Sequence, residues 1–201
     1  MNLRPQKRHF FAMIVFVFAT VLSSSPSRSL EFGLTPSHVF GVWLNINKVY
    51  LELESLSDVA PEALIKIEAL TPTLHKEIKT NHIFTQAKTV QKNLTTMYQL
   101  DIPKQTPSWI RDYQSLEGER VYGNITPSQI FILSTEILNS LVEKYADITK
   151  GTKPVSQFYR IENIKEKATD DVFGLVDLMH RRLEQSTRFR ESPSLYRTKG
   201  E

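Results

Sequence analysis

Thr126-Pro127-Ser128-Gln129-Ile130-Phe131 repeats, at an offset of 91, the pattern of Thr35-Pro36-Ser37-His38-Val39-Phe40. Each stretch reads as a helix start. Thr is a natural N-cap, Pro fits the first helical position because no N–H is needed there, and a branched residue followed by Phe completes the first turn. Gln129 falls three residues after Thr126 and can complete a capping box with it. Two variants of the pattern lie between and after these copies: Thr80-Asn81-His82-Ile83-Phe84 and Thr169-Asp170-Asp171-Val172-Phe173, offset by 89. In these the Thr stands three residues before the branched residue, not four. Ile83 follows Val39 by 44 residues, Ile130 follows Ile83 by 47, and Val172 follows Ile130 by 42. First resembles third and second resembles fourth, which points to a helix pair duplicated once.

Each start continues into apolar spacing of three and four, the mark of a helix with one buried stripe. The stripes are Val39, Val42, Trp43, Ile46, Val49, Tyr50 and Leu53; Ile83, Ala87, Val90, Leu94, Met97 and Tyr98; Ile130, Leu133, Ile137, Leu138, Leu141, Tyr145 and Ile148; and Val172, Val176, Met179 and Leu183. Charged residues, among them Lys48, Glu54, Arg181 and Arg182, fall largely between the stripes. Four such helices can bury their stripes only against one another. The expected fold is all-α: a four-helix bundle from two duplicated helical hairpins, with halves at about residues 35–100 and 126–188 of a domain spanning 30–188. A flexible tail is expected over 189–201.

The connectors each take roughly 20 residues or more, against about 2–8 in ordinary bundles. Chains of that length can run back along the bundle, so consecutive helices need not be antiparallel. Pro61 to Leu70 reads as a short helix with Pro at its first position, and Gln157 to Lys165 also reads as helical. Asp101 to Ile125, with Pro103, Pro107, Trp109 and Gly118, reads as irregular.

Residues 1–29 read as a secretory signal peptide. Arg4, Lys7, Arg8 and His9 precede an apolar run from Phe10 to Leu22, and Ser27 and Ser29 stand before a plausible cleavage at Leu30. The run is short of the roughly 20 residues of a membrane span. The expected location is periplasmic or secreted, with a bacterial periplasm favoured because the chain has no Cys. The alternative is a membrane tether through an uncleaved signal. The leader holds four of the 25 Lys and Arg and none of the 22 Asp and Glu, so 21 basic residues face 22 acidic ones in the remainder. Nucleic-acid binding loses its electrostatic basis.

Two sets of candidate site residues follow from the repeat. Phe40, Phe84, Phe131 and Phe173 occupy equivalent positions, as core or as the lining of a shared apolar pocket. His38, His82, Gln129 and Asp171 precede the branched residues and would form a polar ring if the helices start at one end. That ring is either a set of exposed first-turn caps or a ligand site using two imidazoles and a carboxylate. Arg181, Arg182, Arg188 and Arg190 read as a solvated basic helix end. No nucleophile elbow, phosphate loop, metalloprotease helix motif or Cys nucleophile occurs, so no catalytic residue, cofactor or metal is assigned. The functional expectation is a non-enzymatic binding or interaction module for a protein or small molecule outside the cytoplasm, a ligand-sensing or accessory envelope component. The alternatives are an enzyme or metal site at the His38/His82 end and a dimerising scaffold.

Overall fold

A computed structural model describes residues 33–57, 59–100, 125–160 and 164–186. Among them the chain is all helical, with no strand. The elements are α1 (Pro36–Ser55), α2 (Pro61–Glu68), α3 (Thr80–Tyr98), α4 (Pro127–Thr149), a turn of 3-10 helix η1 (Ser156–Phe158) and α5 (Thr169–Gln185). The expected leader, the tail and most of the irregular segment, with Trp109, Arg188 and Arg190, lie outside the described residues. No helix among the described residues is long and apolar enough to cross a membrane.

The four long helices share one core. Trp43, Ile46, Tyr50 and Leu53 of α1, Leu94 of α3, Leu141 and Tyr145 of α4, and Met179 and Leu183 of α5 are all fully buried. Each such side chain contributes about 1.5–3 kcal/mol on burial, against about 1 kcal/mol for a helix cap. The stripes therefore drive assembly, and the caps decide where each helix begins. One stripe position fails: Ile148 stays 42 % exposed. Thr149 is buried instead, with its hydroxyl donating to Tyr145 O.

All four long helices begin at the same end. A small cavity there is bordered by Pro36, Thr80, Pro127 and Thr169, which are the first residues of α1, α3, α4 and α5. At the opposite end, Glu54 of α1 meets Tyr98 of α3 and Ser186 just past α5. Consecutive long helices are thus parallel, which corrects the expectation of hairpins. The long connectors make this possible, because the chain leaves each helix at one end and enters the next at the other.

α1 packs against α4 and α5, and α3 packs against the same two. The order around the bundle is therefore α1, α4, α3, α5. Two connectors return the chain as outer straps. The segment after α2 runs back along α5: Thr71 O accepts from Arg181 Nη2, Thr73 O lies over Gly174, and Ile78 N donates to Asp170 Oδ1. A Cβ on Gly174 would sit 2.9 Å from that Thr73 oxygen, so the close approach requires glycine. The segment before α5 runs back along α1, with Arg160 O accepting from Asn45 Nδ2 and Lys167 N donating to Ser37 Oγ. These contacts engage its backbone with α1 side chains. Among the described residues of 157–165, the expected helix is reduced to the end of η1.

Candidate functional site

The starting end holds both sets of residues singled out in the sequence. His38, His82, Gln129 and Asp171 each occupy the third position of their helix, and each bonds back to its own N-cap. The Thr35 N–H donates to His38 Nδ1 at 3.1 Å and the Lys79 N–H to His82 Nδ1 at 3.3 Å. The Thr126 N–H donates to Gln129 Oε1 at 2.8 Å and the Ala168 N–H to Asp171 Oδ2 at 2.9 Å. The box is reciprocal at α4, where Thr126 Oγ1 accepts from Gln129 N. For an imidazole to accept through Nδ1, its proton sits on Nε2. Each ring member is thus turned along its own helix start, and no group of three or more His, Asp or Glu among the described residues could hold a metal ion.

The cavity inside this ring measures about 40 Å³. Besides the four first residues, its walls are Val39, Ile83, Ile130 and Val172. It is lined by the branched residues of the repeat and not by Phe40, Phe84, Phe131 and Phe173, which are half-buried against the core. Successive helical residues lie about 100° apart around the axis. When the branched residue points to the bundle axis, its Phe neighbour falls on the flank. There Phe40 carries Lys167 Nζ 4.8 Å from its ring centroid, and Phe173 meets the His75 ring edge to face at 4.8 Å. Two of the four Phe thus pack beneath the return straps. A cavity of this size has room for water, whereas ligand sites usually run from about 300 to 1,000 Å³.

The finishing end carries a polar cluster that lay hidden in the stripe pattern. Glu54 is fully buried and Arg182 nearly so, against the expectation that both lie on solvated faces. Glu54 accepts from the Tyr98 hydroxyl at 2.5 Å and from Ser186 Oγ at 3.0 Å. Arg182 donates to Asn47 Oδ1, to Ile67 O and to Leu70 O, so it fastens α2 and its exit to the bundle. Burial lowers the Arg182 guanidinium from its ordinary value. Burial, then the nearby Glu54 carboxylate, pushes the Tyr50 hydroxyl well above the phenol range. Arg181 is part of the outer surface, paired with Asp177 at 2.8 Å.

A larger opening lies along the outer face of α1. This groove of about 440 Å³ is bordered by Gly41, Leu44, Asn45 and Lys48 of α1, and by Gln157, Arg160 and Ile164 of the return strap. Its lining has two cations, two carboxamides and two aliphatic side chains. Among the described residues that line it there is no carboxylate, hydroxyl or imidazole. Sequence reasoning missed it because strap and helix are more than a hundred residues apart. One signal was available: Gly follows the Val-Phe pair at Gly41 and Gly174, in the two helices that carry a return strap, whereas Thr85 and Ile132 stand there in α3 and α4. Compared with known proteins, the chain matches no family model, no curated protein and no solved structure.

Proposed function

We propose that this chain is an exported, non-enzymatic helical module that binds a small molecule or a segment of a partner in the groove along α1. The observation that carries the reading is the lining of that groove. Its volume falls in the range of ligand sites, and its described lining offers donors and apolar surface. The signal-like leader supports export to a periplasm or to the medium, with ligand sensing or an accessory role in the envelope as the setting. Membrane contact enters only if the leader is retained.

The same reading includes an origin for the bundle in one duplicated helix pair. Three features support it. Equivalent residues of the repeat stand level at the starting end. The third-position cap recurs in all four long helices. A quarter turn about the bundle axis that carries α1 onto α4 and α3 onto α5 also carries the strap on α5 onto the strap on α1.

Native mass spectrometry of the protein recovered from the exported fraction tests the function. A retained small molecule or partner, lost on Leu44→Trp, is the expected result. Recovery from the cytosolic fraction with its leader intact, or a ligand-free protein indifferent to Leu44→Trp, would contradict it.

A further inference from the structure

We infer that residues 33–100 and residues 125–186 are two complementary halves that can be shared between copies of this chain, so that a second copy is a partner. In the shared form each bundle holds the first half of one copy and the second half of the other. The inference stands on the packing between the long helices and does not depend on what the groove along α1 binds.

The order α1, α4, α3, α5 places α1 and α3 on one diagonal of the bundle and α4 and α5 on the other. Every side-by-side pair of long helices therefore joins the first half to the second. Trp43, Ile46 and Leu53 of the first half are fully buried, as are Leu141 and Leu183 of the second. A half without its counterpart exposes its stripes to water, at about 1.5–3 kcal/mol for each such side chain. The straps cross in the same way. Arg181 of the second half donates to Thr71 O of the first, and Asn45 of the first donates to Arg160 O of the second. Within the first half, the bond from Tyr98 to Glu54 reaches across the diagonal.

Buried polar pairs decide which halves meet. Arg182 Nη1 donates to Asn47 Oδ1, and Ser186 Oγ donates to Glu54 Oε2, both from the second half to the first. The repeat offsets say what like halves would offer each other. Two second halves would set Leu138 in the place of Asn47, at the offset of 91, and leave the guanidinium without that acceptor. Two first halves would set Met97 in the place of Ser186, at the offset of 89, and take a donor from the Glu54 carboxylate. Stranding a buried charge is strongly destabilising, so a first half selects a second half. None of these contacts requires both halves to come from one copy. Exchange of identical elements between copies keeps every one of them. It changes only which bundle residues 101–124 lead to.

Shortening the link between the halves is the first test. α3 finishes about 28 Å from the level at which α4 starts, since its 19 residues rise 1.5 Å each. Removing residues 103–122 leaves four residues between Leu100 and Ile125, which reach at most about 18 Å. One copy then cannot close its own bundle. Light scattering is expected to report a dimer that keeps the helical content of the intact bundle, and a folded monomer would overturn the inference. The second test keeps the link and cuts it. A protease site inserted after Gln105 lets the folded chain be cleaved between its halves. Cleaved protein in ordinary and isotopically heavy form is mixed in urea and refolded. Native mass spectrometry is expected to find first and second halves paired one to one, with mixed isotopic origin as often as random pairing gives. Halves that stay apart, or that pair with their own kind, would overturn the inference even where the shortened chain does not fold.

Discussion

At the end where the helices start, His38, His82, Gln129 and Asp171 each bond a backbone N–H three residues away. At the end where they finish, Glu54 bonds a residue 44 positions away and Arg182 one 135 positions away. In the first set His38 and His82 are exposed and Asp171 is half-buried, so water can replace them, and only Gln129 is buried. The second set is sealed, and losing one partner strands another polar group where water does not reach. A buried group left unsatisfied costs about 1–3 kcal/mol, and a lost cap costs about 1 kcal/mol. The two ends therefore look alike in composition and differ in what they contribute. One positions four helix starts, and the other locks three helix ends and α2 into a single arrangement.

The largest effect should come from Arg182→Leu. It strands Asn47 Oδ1 and takes a donor from the Ile67 and Leu70 carbonyls, and is expected to cost about 3 kcal/mol in urea unfolding. It should also speed amide exchange across residues 61–70, because α2 loses its fastening. A cost no greater than that of a cap would erase the contrast between the ends. Glu54→Gln comes next, at about 2 kcal/mol, since it replaces a charged acceptor of two hydroxyls by an amide that accepts less strongly.

The alkaline limb of the stability curve sharpens the same comparison. The raised Tyr50 value means that the folded state holds the phenol proton more tightly than the unfolded chain, whose phenols titrate near 10. That contribution is complete below about pH 10. It is lost at higher pH, at up to about 1.4 kcal/mol per pH unit for one proton. Tyr50→Phe should flatten this limb; an unchanged slope would mean that the finishing end does not set it. The smallest effects belong to the caps. His38→Ala and His82→Ala should each cost about 1 kcal/mol. His38→Gln should cost almost nothing, because Gln129 performs the same task in α4. A His38→Gln loss as large as that of His38→Ala would give the imidazole a role beyond capping.

The contrast also explains what could be read in advance. Caps and stripes are local, so Thr35, Thr126, the Gln129 box and nearly every stripe residue were legible from spacing alone. The Phe residues were harder. Spacing says that Phe40 and Phe173 lie one residue past an inward position, but only the straps decide that they pack on the flank. Glu54 and Arg182 look like any charged residue between stripes. Their burial depends on α2, on Ser186 and on the parallel course of the helices, which no local pattern encodes. The groove along α1 is illegible for the same reason, since its two walls come from opposite ends of the described chain.

The parallel course of the long helices underlies all of this, and the absence of Cys makes it directly measurable. Spin labels at His38→Cys and His82→Cys would mark the starts of α1 and α3, and a second pair at His38→Cys and Thr96→Cys would mark a start and an end. Residues 82 and 96 are about 21 Å apart along α3 at 1.5 Å per residue. The expected result of electron–electron distance measurement is a shorter distance for the 38/82 pair than for the 38/96 pair. The reverse order would make α1 and α3 antiparallel and contradict the common starting end.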